Sequence, residues 1–203
     1  MGEFGVIKTV SKLTAAALLV LGILGLPPAL HSFEMNQAGS ERKIDYAAAR
    51  KDILRFEGAV DSVITSAFSS SPFAVVQKTK GAYLADYGVS FAFVVNIHRA
   101  VVNTPFGKIN RGPAASPELK QKLINDLKEK LIRLIQENGS SFRNLGKDEH
   151  ITIIAFIEDR NFPDEPSGNK TLVLTALKKD SDEFGHQNER LKEFKQRIKI
   201  VEY

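Results

Sequence analysis

The chain has 203 residues, 43% of them hydrophobic and 26% charged, ordinary values for a folded protein with one sizeable core. Its 28 basic and 24 acidic residues leave a net charge of +4 with no block of one sign, a pattern that argues against a nucleic-acid footprint and leaves only weak attraction to an anionic surface. Cysteine is absent, which excludes disulfides, thiolate metal sites and a lipid-modified N-terminal cysteine.

Lys8 and Lys12 precede a 14-residue uncharged run from Leu13 to Leu26, closed by Pro27 and Pro28. A spanning helix needs about 20 apolar residues, so the run has the length of a signal-peptide core. The expected division is a signal peptide over 1–32, a flexible leader over 33–43 and a single domain over 44–203. The competing reading keeps residues 13–30 as a membrane anchor in a thin bilayer. Membrane contact is expected only through that uncleaved segment, and the folded part is expected to be periplasmic or secreted.

From Asp45 a helical pattern takes over. Tyr46, Ala49, Ile53, Phe56, Val60, Val63 and Ala67 follow alternating steps of three and four along one helix face. The helix should end in the Ser69-Ser70-Ser71-Pro72 run. Val75–Leu84 and Val89–Ile97 read as a β-hairpin around Ala85–Gly88, with Gly88 expected at positive φ. The second strand is apolar on both faces, which predicts a central strand covered on both sides. Ala100 to Pro117 holds three prolines and two glycines and reads as a long connection.

Ser116 and Pro117 open the next helix as N-cap and first helical residue, and Gly139 is its expected C-cap. Ile151–Ile157 reads as another central strand, followed by a polar loop over Glu158–Asn169 and an antiparallel strand over Thr171–Leu177. A last helix beginning near Ser181 turns Phe184, Leu191 and Phe194 inward and gives way to a short terminal strand. The predicted fold is α+β, an antiparallel or mixed sheet of about five strands packed by three helices in the order αββ-αββ-αβ.

The hairpin Tyr83-Leu84-x-x-Tyr87-Gly88-Val89-x-Phe91, the lysine-rich amphipathic helix, the Ile-rich strand and the closing Phe-x-x-x-Ile-x-Ile-x-x-Tyr tail resemble an uncharacterised group of secreted bacterial α+β proteins. The resemblance runs from about Pro72 to the C-terminus. It implies compartment and domain count, and carries no activity.

No metal or cofactor is expected. Without cysteine or a His-x-x-x-His pair there is no zinc pattern, and Asp159–Glu165 fails the calcium-loop template because Pro163 and Asp164 stand at its fifth and sixth positions. The serine runs at 69–71 and 140–141 lack a Gly-x-Ser-x-Gly turn. Asp86, Glu158 and Asp159 could serve as paired carboxylates, although no spacing joins them. The lysines at 120, 122, 128 and 130 read as a solvated helix face. His98 and His150 sit at strand ends, sharing one end of the sheet if those strands are antiparallel and opposite ends if they are parallel. The first expectation is therefore a non-catalytic interaction or structural module of the cell envelope, its partner an envelope protein or an anionic surface met through Tyr83, Asp86 and Tyr87. The alternatives are an envelope hydrolase using His98, Arg99 or Glu158 beside the Ala100–Pro117 loop, and a carrier for an apolar or anionic small ligand.

Overall fold

The computed structural model describes residues 44–69, 74–98, 101–110, 116–159 and 168–203, with the backbone alone at 101–104, 108–110 and 188. The expected signal peptide over 1–32 and leader over 33–43 lie outside them. Helix α1 (Tyr46–Ala67) starts where the Asp45 carboxylate accepts from the backbone N–H groups of Ala47 and Ala48, each at 3.0 Å. Those donors have no partner inside the helix, so the cap satisfies them. Its buried stripe is Ala49, Ile53, Phe56, Val60 and Ile64, with Val63 and Ala67 half-buried against the core, so the expected seam holds except at Tyr46. A straight helix turns once in 3.6 residues, so the stripe drifts from Val63 to Ile64 and leaves Tyr46 68% exposed.

Strands β1 (Val75–Leu84) and β2 (Gly88–Asn96) form the expected hairpin, with Leu84 opposite Gly88 and Val75 opposite Val95. At the turn the Tyr87 N–H donates to the Leu84 carbonyl at 3.2 Å, with Asp86 at φ 61° and Gly88 at φ 126°. Gly88 has the positive φ expected of it, and a Cβ there would also run into the His150 backbone. The stretch expected as a plain connection holds a second ladder, β3 (Val101–Thr104) with β4 (Gly107–Asn110). Four-residue strands are too short to show a period, and the prolines and glycines around them mask the β-branched Val101, Val102 and Ile109.

Helix α2 (Pro117–Asn138) has the expected cap, the Ser116 hydroxyl accepting from the Leu119 N–H at 3.3 Å. Gly139 is its C-cap but in right-handed conformation, φ −62°, running on into a 3-10 turn. Space rather than φ makes glycine fit there, since a Cβ would meet the Ser181 side chain. Strand β5 (His150–Glu158) pairs parallel with β2, from Gly88 opposite His150 to Asn96 opposite Glu158. Strand β6 (Lys170–Leu177) runs antiparallel to β5, and β7 (Lys199–Glu202) antiparallel to β6.

The five-stranded sheet has the order β1-β2-β5-β6-β7. A parallel pair needs a crossover, which β3, β4 and α2 supply between β2 and β5. The expected last helix is two: α3 (Lys178–Phe184) and α4 (Leu191–Arg197), joined by a 3-10 turn at Asn188–Arg190. The break follows Gly185, with His186 at φ 60°, and it lets Phe184 and Phe194 reach the same core with ring centroids 6.1 Å apart. The described residues thus carry four helices, not three.

The fully buried strand residues share one face by register: Val89, Phe91 and Phe93 on β2, Ile151 and Ile153 on β5, Leu174 on β6. They join the buried sides of all four helices in one cluster, in which Phe56 lies 4.6 Å from Phe91 between ring centroids. On the other face Ala92, Val94, Ile154 and Val173 are half-buried, and Phe156 is 43% exposed. Strand β2 is interior to the sheet, but among the described residues the expected cover on both faces is found on one. The apolar character of the second face reflects the fit of β-branched residues to a pleated surface as well as burial.

Candidate functional site

The parallel pairing of β2 with β5 decides which residues meet. It puts His98, two residues past β2, and Asp159, directly after β5, side by side at the carboxyl ends of the strands. His150 opens β5 and lies at the other end, where its ring stacks on Tyr87 with centroids 4.9 Å apart and planes at 13°. The chain is set for this beyond β2 by Asn96, a buried residue whose side-chain oxygen accepts from the His98 N–H at 2.9 Å, and by the Ile97 N–H, which donates to the Glu158 carbonyl at 2.9 Å.

Helix α2 completes the cluster from its first turn. The Lys120 ammonium donates to Asp159 Oδ1 at 2.7 Å and Oδ2 at 3.0 Å, and lies 3.2 Å from His98 Nδ1. His98 Nδ1 is itself 3.2 Å from Asp159 Oδ1. One nitrogen cannot accept from Lys120 and donate to Asp159 at once, so the cluster has two hydrogen-bonding states. With the proton on Nδ1, His98 holds Asp159 and frees one Lys120 hydrogen. With it on Nε2, Nδ1 takes that hydrogen. Nearby, the Glu118 carboxyl is held below its ordinary value, first by its own backbone N–H and then by the Ser116 hydroxyl, burial opposing.

Behind the ion pair lies a half-open pocket of about 250 Å³. Ile97, Ile124 and Ile157 form its apolar wall; Lys120, Asp159, Gln121 and Lys170 form its polar rim, and Pro117 brings the N-terminal end of α2 to it. The Lys170 ammonium donates to Gln121 Oε1 at 3.0 Å and stands 3.6 Å from Glu202 Oε1. This is the crevice outside the carboxyl ends of parallel strands, where ligands of α/β sheets are commonly held.

Of the expected site residues, His98 belongs to this cluster, Glu158 lies beside it at the end of β5, and Arg99 falls outside the described residues. Of the oxygen-rich segment considered for calcium, Asp159–Glu165, only Asp159 lies within the described residues. Among the described residues, no three His, Asp or Glu side chains stand together as metal ligands, and no helix is long and apolar enough to cross a membrane. Tyr83, Asp86 and Tyr87 are near in sequence but not gathered on one surface. Tyr83 faces the helices and donates to Glu149 at 2.8 Å, whereas Tyr87 lies on the other face with its hydroxyl 2.7 Å from that of Thr152. Lys120 is the site residue least visible in the sequence, read as solvated helix surface, whereas Asp159 was a candidate only as a carboxylate to pair with Asp86 or Glu158. Only the offset of Lys120 from the Ser116 cap, which puts it in the first turn of α2, could have singled it out. No family model, curated protein or solved structure matches the chain.

Proposed function

We propose that the chain is a non-catalytic ligand-binding module of the cell envelope, periplasmic or secreted, whose ligand occupies the pocket at the carboxyl ends of β2 and β5. The observation that carries this reading is the Lys120–Asp159 pair, set into the wall of an isoleucine-lined pocket with side chains only 17% and 27% exposed. Charges held beside apolar surface lose solvation, and pairing alone returns little of it. An apolar pocket rimmed by a few convergent polar groups is, by contrast, the composition of a small-molecule site. A carrier role for a small ligand fits this better than a protein-docking tip, because Tyr83 and Tyr87 face opposite sides of the sheet.

The extracytoplasmic part rests on the Lys8–Leu26 pattern and on the resemblance to secreted bacterial proteins. N-terminal sequencing of the exported product tests it, and an intact Met1 would sink the cleaved signal. For the site, a small-fragment screen followed by amide NMR on the purified protein should give hits that move the signals of Ile97, Lys120, Ile157 and Lys170 together. Hits confined to other surfaces would overturn the assignment.

A second reading, the hydrolase, is favoured by one contact: Asp159 beside His98 Nδ1 would leave Nε2 as a base. It requires His98→Ala to abolish turnover of a screened ester or amide without weakening ligand binding at the pocket.

A further inference from the structure

We infer that the ligand is a monocarboxylate with a straight apolar chain of about six carbons. The inference rests on the pocket reading and specifies what the pocket takes. The charge of the rim is the first argument. Among the described lining residues, two ammonium groups, Lys120 and Lys170, stand against one carboxylate, Asp159, so that lining carries one net positive charge, with Glu202 outside it 3.6 Å from Lys170. One anionic group neutralises it; a cation or a dianion leaves an excess. Pro117 at the pocket brings the positive end of the α2 dipole to the same place.

Donor geometry is the second argument. Lys120 directs two hydrogens at Asp159, and its third is free for a ligand when His98 carries its proton on Nδ1 and holds the other side of Asp159. A ligand carboxylate selects that state of the cluster. Lys170 uses one hydrogen on Gln121 and is only loosely engaged by Glu202 at 3.6 Å. Two ammonium donors therefore line the same pocket and are available to one anionic group, with His98 acting as a positioning residue behind Lys120 and Asp159.

Size and wall chemistry are the third. At about 250 Å³ and half-open, the pocket is smaller than the roughly 300–1,000 Å³ of a drug-sized site, which suits a short chain of about six carbons and leaves a longer one to project into solvent. Ile97, Ile124 and Ile157 offer the chain no polar partner for its methylenes, so only burial of apolar surface holds them.

The test is titration of the purified protein with the straight-chain acids from acetate to decanoate, followed by calorimetry and by the amide signals of Ile97, Lys120, Ile157 and Lys170. Affinity should rise by up to about fourfold per CH₂ as far as about six carbons and then level off or fall. Hexan-1-ol, hexylamine and inorganic phosphate should each bind at least about tenfold more weakly than hexanoate at that same place, the phosphate lacking a chain. Asp159→Asn should tighten hexanoate, because it removes the carboxylate among the described rim residues. Lys170→Met, a change at an exposed side chain that leaves the fold intact, should weaken hexanoate more than hexan-1-ol. If hexan-1-ol or hexylamine binds as well as hexanoate at those amides, the ligand class is wrong and the pocket reading stands. If N-acetylleucine binds more tightly than hexanoate, a peptide C-terminus replaces the free acid. If none of the compounds moves those amides, both readings fall.

Discussion

Gly88 and Gly107 share a backbone conformation, φ 126° and 123°, but not their surroundings. Nothing lies within 4 Å of a Cβ built on Gly107, whereas one built on Gly88 runs into the backbone of His150. The pair separates the cost of the dihedral from the cost of close approach. Gly107→Ala should lose about 1–3 kcal/mol through strain alone, and Gly88→Ala about 3–5 kcal/mol because the β2–β5 pairing must also give way. Urea unfolding of both proteins checks this; equal losses would mean that the approach of β5 to Gly88 is unimportant. The turn itself was legible, since Asp86-Tyr87-Gly88 follows ordinary reversal chemistry. The nearness of His150 was not, because it comes from a strand 62 residues further on.

At the scale of elements, α1 does more than cover the core. Two of its carboxylates reach the backbone of β1, Asp61 accepting from the Thr79 N–H at 2.9 Å and Glu57 from the Gly81 N–H at 2.7 Å. Strand β1 is the edge of the sheet, where unpaired N–H groups invite pairing with another chain. Its irregular register with β2 between Val75 and Lys80 lies next to these contacts. Glu57→Ala and Asp61→Ala should each cost about 1–3 kcal/mol, since each leaves a donor without its acceptor. The exposed Lys51→Ala should stay within about 0.5 kcal/mol. The double variant should also self-associate in sedimentation; monomers with unchanged stability would show that the carboxylates do not guard the edge. Glu57 and Asp61 were legible only as the polar side of an amphipathic helix. A helix pattern says which residues avoid the core, not which strand edge they reach.

The described residues form a mixed sheet with their helices on one face. Among the described residues Phe93 is buried under them, and Phe156 stands 43% exposed on the opposite face. Phe93→Ala should therefore cost about 3–5 kcal/mol, and Phe156→Ala less than about 1 kcal/mol, both read from denaturant midpoints. A loss at Phe156 as large as that at Phe93 would mean that the second face is covered in solution. The site also belongs to this scale. Its pocket takes one wall from the ends of β2 and β5 and another from the first turn of α2.

What the sequence determined by itself is what short-range chemistry writes into it. Runs of apolar and β-branched residues marked Val75–Leu84, Val89–Ile97, Ile151–Ile157 and Thr171–Leu177 as strands, each within a residue of the bounds found. Asp45 and Ser116 marked helix starts by the side-chain oxygens that satisfy free backbone donors. Tertiary structure alone decided that β2 and β5 run parallel, because the pairing direction is set by how a crossover of some fifty residues packs and leaves no local trace. That one decision separated His98 from His150, brought Asp159 to His98 and turned Lys120 from a surface lysine into the partner of both.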